Sequence, residues 1–294
     1  MLNRLAASAH RPVLVVTRPD RPRGRGRRLE SPPVVASARS LGLAVLQPES
    51  VNSQEARDAI AAVAPETVAI CAFGGLIREP LLSTHEMLNV HPSLLPRWRG
   101  AAPIERAIDA GDRETGVSIM RPTAELDAGP VCLARPEPIH AGDDFGTLST
   151  RLEALAGDLL VEALDTSPPF RDQPDDGVTL AEKVVAEDRR LDPARSSAAL
   201  ERRVRALSPH LGAYVELVGD ERLGVLRARV AAVAAEGERP APADLCAAGD
   251  RLLLGCADGA LELVEVKPAG GRAMDAAAYI RGRQPDGAQQ SGRR

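Results

Sequence analysis

Aromatic residues are scarce: Trp98, Tyr214, Tyr279, Phe73, Phe145 and Phe170 make up 2% of the 294 residues. Cores must therefore be built from Ala, Val, Leu and Ile, and stacking platforms for single-stranded bases are excluded. Lysine is nearly absent, with only Lys183 and Lys267, so positive charge means arginine. The four cysteines, Cys71, Cys132, Cys246 and Cys256, show no C-x-x-C spacing, which supports neither a zinc site nor a disulfide framework. No apolar run nears the roughly 18 residues of a membrane span, and no secretory pattern opens the chain. These absences predict a reduced, cytoplasmic protein without metal. What remains is a chain 44% hydrophobic and 27% charged, long enough for about two domains with buried cores.

The formal charge of -4 argues against a uniformly cationic nucleic-acid binder. Its distribution is uneven, however. In the first fifty residues nine arginines face only Asp20, Glu30 and Glu49, a local charge of +6 that leaves -10 for the rest. The run Arg18, Arg21, Arg23, Arg25, Arg27 and Arg28 sits in a Pro/Gly frame and reads as an irregular basic loop.

The opening MLNRLAASAH places Leu2, Leu5 and Ala6 on one helical face, and RPVLVVTR follows as a short apolar run typical of a buried parallel strand. After the arginine loop come a helix around Val34 to Leu41, a strand LAVLQP, a helix near Gln54 to Val63 and a buried strand TVAICAF. Strands alternating with helices predict an α/β domain with a doubly wound, mostly parallel sheet. LNVHPSLLP, a helix at Pro103 to Ala110, the extended runs GVSIM and PVCLARPEPI, and a helix from about Thr147 to Leu164 complete it. Pro, Asp and Gly then dominate, which reads as a linker. A helix around Ser196 to Leu207 and several short strands separated by turns predict a small β-barrel. The expected division is a catalytic domain at 1–170, a linker at 171–188, a barrel at 189–283 and a disordered tail at 284–294.

The chemistry concentrates in LNVHPSLLPRWRGAAP. On a strand, Asn89 and His91 point to the same side and converge on one small atom. A lone N-x-H also occurs as a structural histidine with a capping Asn. In ELDAGP, Asp127 precedes a flexible Ala-Gly pair; a carboxylate there orients a histidine, although turn aspartates without function are common.

Taken together, TRPDRPRGRGRRLESPPV, LNVHPSLLPRWRGAAPIERAIDAGDRETGVSIM, ELDAGPV, RVRALSPHLGAYVEL and LELVEVKPAGGRAM resemble, in order and spacing, the folate-dependent formyltransferases. The arginine loop, PRWRGAAPI and the RALSPHLGAY segment resemble the branch that acts on methionyl-tRNA. The resemblance covers nearly the whole chain and implies a Rossmann-like formyltransferase domain followed by an OB-like barrel. It implies formyl transfer from 10-formyltetrahydrofolate to the α-amine of initiator methionyl-tRNA, by a monomer with no membrane partner. Asn89, His91 and Asp127 are then catalytic, with Asn89 and protonated His91 as oxyanion donors. Phe73, Gly74, Ser93, Leu94, Leu95 and Pro96 flank the folate. Arg18, Arg21, Arg23, Arg25, Arg27, Arg28, Arg97 and Arg99 contact tRNA. A second group, Arg189, Arg190, Arg202, Arg203 and Arg205, reads either as a tRNA contact or as a solvated helix face.

The resemblance also has departures. The family opens with a strand and a Gly-Thr-Pro turn that this sequence lacks ahead of its first helix, which predicts neighbouring strands without ladder partners; a start placed too far downstream is the favoured cause. Ala128, Gly129 and Pro130 stand where the family has Thr-Gly-Asp, and Leu180 and Glu182 where it has Tyr and Pro. Two alternatives stay open: a formyltransferase acting on a small amine, and an inactive RNA-binding remnant.

Overall fold

A computed structural model describes residues 1–23, 28–217, 219, 221–232 and 240–283. The expected tail at 284–294 lies outside the described residues. The chain divides into two compact units: Met1–Pro103 with Glu114–Pro138 and Thr150–Glu182, and Ile104–Arg113 with Ile139–Ser149 and the chain from Lys183 onward.

In chain order the elements begin with helix α1 (Leu2–Ala6), strands β1 (Leu14–Val16), β2 (Arg21–Arg23) and β3 (Arg28–Glu30), α2 (Pro33–Ser40), β4 (Ala44–Leu46), α3 (Gln54–Ala62) and β5 (Val68–Cys71). There follow α4 (Leu81–Thr84), β6 (Met87–His91), β7 (Arg99–Gly100), α5 (Pro103–Ala110), β8 (Glu114–Met120), β9 (Val131–Pro138), α6 (Phe145–Thr166) and β10 (Leu180–Ala181). Local chemistry sets several boundaries. Pro33 occupies the first turn of α2, where its missing N–H costs nothing, and the Ser53 hydroxyl caps α3 by accepting from Ala56 N.

Side-chain alternation on β1 shows why the first unit is layered. Val15 packs on one face with Ala38 and Leu43, whereas Leu14 and Val16 pack on the other with Ile60, Leu81 and Met87. Helices thus cover both faces, as expected of a doubly wound sheet. The ladders are less uniformly parallel than the sequence pattern implies. β1 pairs with β4 and β5 with β6 in parallel, but β6 with β8 and β8 with β9 are antiparallel. β8 and β9 are joined without a helix, which antiparallel pairing permits, whereas the chain between β6 and β8 carries β7 and α5. Among the described residues the β1–β4 pair and the four-stranded β5-β6-β8-β9 sheet share no ladder, although Leu14, Val16, Val68 and Ile70 belong to one apolar cluster. Ala69 and Cys71 are exposed, so β5 is not buried on both faces as its apolar run predicts.

The second unit continues with α7 (Ser197–Leu207), β11 (Ala213–Glu216), β12 (Arg222–Val230), β13 (Leu245–Ala248), β14 (Arg251–Gly255), β15 (Ala260–Pro268), β16 (Met274–Asp275) and α8 (Ala276–Arg283). Its strands form an antiparallel sheet in the order β11-β12-β15-β14-β13, with β16 on β15. α7 buries Leu200, Val204 and Leu207 against Val225, Leu254, Leu263 and Val266, an aliphatic core of the kind the scarcity of aromatics demands.

Candidate active site

Strand β6 has a ladder partner on each side, β5 and β8. Its apolar residues Met87, Leu88 and Val90 are buried, which holds the strand rigidly and brings Asn89 and His91 to its C-terminal end. Open α/β sheets bind ligands at that edge. His91 is only 4% exposed. Its Nε2 donates to the Trp98 carbonyl at 2.8 Å, so Nδ1 is the nitrogen that faces Asp127, 3.7 Å from Oδ2. With one ring nitrogen spent on a carbonyl and the other turned to a carboxylate, this arrangement relays a proton more readily than it donates directly to an oxyanion.

Asp127 lies in the loop between β8 and β9, with φ at +48°. Its Oδ1 accepts from Asn89 Nδ2 at 3.4 Å and its Oδ2 from Gly100 N at 3.0 Å. Asn89 thereby keeps a second amide hydrogen for another acceptor. Gly100 is required where it stands: its φ is +126°, and a Cβ there would meet the Ala181 carbonyl at 2.7 Å. Gly129, two residues after Asp127, packs so closely on the Arg121 carbonyl that no side chain fits.

Two residues here escape sequence reasoning. Gln173 Nε2 donates to the carbonyls of Asp127, at 2.8 Å, and Gly129, at 2.7 Å. The Thr179 hydroxyl accepts from Trp98 N at 2.8 Å. Both sit in the Pro/Asp/Gly stretch, which has no periodicity to single out any side chain.

The Ser93–Pro96 turn is pinned from beneath. Ser93 is fully buried, its hydroxyl donates to Arg97 O at 2.6 Å, and the Ser118 hydroxyl donates to Ser93 O and accepts from Leu95 N. Phe73 and Gly74 lie elsewhere: with Val16, Arg18, Arg21, Val51 and Leu76 they line a cavity of about 210 Å³, whose lining includes none of Ser93, Leu94, Leu95 and Pro96. Thr17, Ser50 and Asn52, with the charged Arg18, Arg21 and Glu49, supply its polar wall. Apolar walls with a few hydrogen-bonding groups suit a flat heterocycle.

The arginine loop is a hairpin rather than an irregular loop: β2 and β3 pair antiparallel, Arg21 with Glu30 and Arg23 with Arg28. Alternating arginines carry no hydrophobic signal, so the sequence does not display the period of two as a strand. Gln47 fastens the base by donating to Arg18 O and Asp20 Oδ1. That bond, with one from Ser31, holds the Asp20 carboxyl below its ordinary pKa. Arg18, Arg21 and Arg28 are exposed, and Arg21 pairs with Glu49 at 2.7 Å. Arg25 and Arg27 lie outside the described residues, and Arg23 is placed by its backbone alone. Arg97 stacks over the Trp98 ring at 4.4 Å. Arg99 turns inward, its Nε donating to Gln173 Oε1 at 2.9 Å.

The side chains of the second arginine group bond within their own unit; Arg203 is mostly covered, whereas Arg190 stays exposed. Arg203 grips the Asp109 carboxylate through Nε at 2.8 Å and Nη2 at 2.7 Å, and Arg202 donates to Asp109 O. Arg205 binds Glu201 and Asp143 O, Arg189 binds Gly212 O and Arg190 pairs with Glu216.

Among the described residues no group of three or more His, Cys, Asp or Glu side chains is arranged to hold a metal. The site is thus one amide and one imidazole–carboxylate pair, and the cavity at Phe73 and Gly74 includes none of the three in its lining. Comparison with known proteins agrees with that chemistry. Residues 1–164 match the family model described as formyl transferase, and residues 183–284 the model of the formyl transferase C-terminal domain. A methionyl-tRNA formyltransferase of Halorhodospira halophila is 44% identical over 289 residues, 96% of this chain and 92% of that one. One of Ruegeria pomeroyi is 41% identical over 286 residues, with the same coverage. The crystal structure of HypX from Aquifex aeolicus in complex with tetrahydrofolic acid is similar in fold, with a TM-score of 0.62 at 19% identity over 91% of this chain and 46% of that one. The chain therefore belongs to the formyl transferase family.

Proposed function

We propose that this chain transfers the formyl group of 10-formyltetrahydrofolate to the α-amine of methionyl-tRNA, preparing the initiator for translation. The observation that carries the reading is the convergence of Asn89, His91 and Asp127 at the buried end of β6. The near-full-length identity to methionyl-tRNA formyltransferases supports the choice of acceptor.

The folate co-substrate supplies an activated formyl carbon. The unprotonated amine attacks that carbon, negative charge develops on the formyl oxygen, and the bond to the folate nitrogen then breaks. In this reading Asn89 donates its second amide hydrogen to the oxyanion, worth a few kcal/mol of barrier. His91 takes the proton released by the attacking amine, Asp127 steadies the charge formed on the ring, and the proton then passes to the folate nitrogen as its bond to the formyl carbon breaks. Phe73 and Gly74, together with Ser93, Leu94, Leu95 and Pro96, hold the folate. The cavity walled by Phe73 and Gly74 has room and hydrogen-bonding groups for part of it, and Arg18 and Arg21 share that cavity, which supports a folate pocket bordered by the arginine hairpin. Residues 1–170 act as the catalytic domain, 171–188 as the linker and 189–283 as a tRNA-binding barrel. The reading includes a monomer working in the cytoplasm; no helix among the described residues is long and apolar enough to cross a membrane.

A formylation assay tests this. With 10-formyltetrahydrofolate as donor, methionyl-tRNA is converted to its formyl form and free small amines such as a glycinamide or an amino-sugar nucleotide are not. Equal or better use of the small amines overturns the tRNA reading in favour of a small-amine formyltransferase. No turnover of any acceptor favours the inactive remnant.

A further inference from the structure

The segment from Arg171 to Ala181 is compositionally a linker, yet it is tied at intervals to the loops that carry the reacting groups. Arg171 exchanges backbone hydrogen bonds with Val131. Thr179 O and Ala181 O accept from Arg99 N and from Ala101 and Ala102 N, and β10 pairs with β7 in parallel. Of residues 171–180 only Gln173 and Thr179 are not exposed.

Those two side chains meet two residues with left-handed backbones. Asp127 has φ +48° and Trp98 φ +65°, conformations that strain a non-glycine residue and persist only where the surroundings over-determine them. Thr179 accepts from Trp98 N, and the Trp98 carbonyl in turn accepts from His91 Nε2. Gln173 spends both amide hydrogens on the carbonyls of Asp127 and Gly129, while its Oε1 accepts from Arg99 Nε. A flipped amide would set its oxygen against two carbonyls and its NH2 against a guanidinium, so the orientation is unambiguous.

We propose that Gln173 is a positioning residue for formyl transfer: its carboxamide clasps the Asp127–Gly129 loop and so sets the carboxylate against His91 and Asn89, with Thr179 doing the same for the Trp98 carbonyl that orients the imidazole. This rests on the formyl-transfer reading above. Gln173 touches no reacting atom. It acts through Asp127, whose carboxylate otherwise depends on Gly100 N and on a long 3.4 Å bond from Asn89. Displacement of a reacting group by about 1 Å is enough to cost up to a hundredfold in rate.

The test uses the full chain carrying Gln173→Met, which keeps the side chain's length without its donors, and Gln173→Glu, which keeps the acceptor and loses the donors. Both are expected to lower kcat by about tenfold or more and to leave KM for methionyl-tRNA and for the folate within about twofold, as follows when only transition-state contacts are lost. Thr179→Val lowers kcat in the same way and Thr179→Ser restores it, whereas Asp175→Ala, an exposed change on the same segment, has no effect. A second readout needs no turnover: the Gly100 amide resonance, which reports its bond to the Asp127 carboxylate, moves and exchanges faster in both Gln173 variants. Unchanged kcat with an unchanged Gly100 signal overturns the proposal, and so does a lowered melting temperature accompanied by neither change. If the unaltered chain formylates nothing while the Gly100 signal still responds to Gln173, the formyl-transfer reading fails and the clasp itself stands.

Discussion

Nδ1 of His91 stands 3.7 Å from Oδ2 of Asp127, a contact that joins the end of a buried strand to a loop 36 residues downstream. The other ring nitrogen is held by the Trp98 carbonyl, so neither rotation of the ring nor exchange of its roles is open without breaking a bond. If this pair moves a proton and Asn89 stabilises the oxyanion, Asn89→Ala, His91→Ala and Asp127→Ala each lower kcat by about a hundredfold or more. Single-turnover rates with methionyl-tRNA measure this directly. Near-normal rates in all three variants would falsify the assignment.

The hairpin offers a different signature from the site. Phosphate contacts raise affinity without touching the chemistry, and each one lost lowers the salt dependence of binding by about one unit of slope. Arg18→Ala, Arg21→Ala and Arg28→Ala in combination are therefore expected to raise KM for methionyl-tRNA by about tenfold or more at moderate salt, while single-turnover chemistry at saturating tRNA changes little. Arg21 contributes least, since Glu49 at 2.7 Å already partly neutralises it. Titrating KM against salt concentration checks the prediction; a KM and slope equal to those of the unaltered chain would remove the hairpin from the tRNA interface.

What was legible in the sequence follows from which interactions leave a pattern. The helix at Pro103–Ala110 is bounded by Pro at its start and by Gly111 after its end, and it is found where the sequence places it. Asn89 and His91 are readable as a pair because strand geometry alone aligns alternate residues. Their partner Asp127 is legible only through the resemblance, since nothing local marks a loop aspartate as one that reaches a distant strand. Gln173 and Arg203 represent the class that stays hidden. Both are polar residues on segments that look solvated, and both are committed to partners 46 and 94 residues away. The hairpin of β2 and β3 stays hidden for a related reason: its alternation is in charge and proline, not in hydrophobicity.

The second unit carries a pH dependence of its own. Glu262 is 6% exposed on β15. The Arg229 hydrogen bond at 2.6 Å, together with the charges of Arg229 and Arg251, outweighs burial and holds its carboxyl below the usual glutamate pKa. A folded-state pKa below the unfolded value means that the unfolded chain binds more protons. The stabilisation is then complete above the ordinary glutamate value and is lost as pH falls through the depressed folded value. Glu262→Gln is expected to lower the melting temperature at neutral pH, and the gap to the unaltered chain is expected to close on acidification. Thermal melts from about pH 7 to about pH 3 read this out; a gap that stays constant or widens toward acid contradicts it. Comparison with the matched variant matters because Asp188 titrates in the same direction: burial opposes, but the Val185 N–H and Arg106 prevail.

The bidentate pair of Arg203 and Asp109 gives the last prediction. Both side chains are mostly covered, at 13% and 14% exposure, and Arg203 also donates to Asp188 O. Removing one partner of a covered ion pair leaves an uncompensated charge that costs more than the pair itself contributes, whereas replacing both by apolar groups is often neutral. Asp109→Ala is therefore expected to destabilise the second unit by about 2 kcal/mol, between the losses typical of exposed and buried pairs. Adding Arg203→Met to that variant is expected to recover much of the loss. Had Arg203 instead served as a solvated or tRNA-facing charge, Asp109→Ala would leave the melting temperature unchanged. A double-mutant cycle on the full chain, read by denaturant unfolding, separates the two: coupling near zero returns Arg203 to the surface group that its sequence context implies.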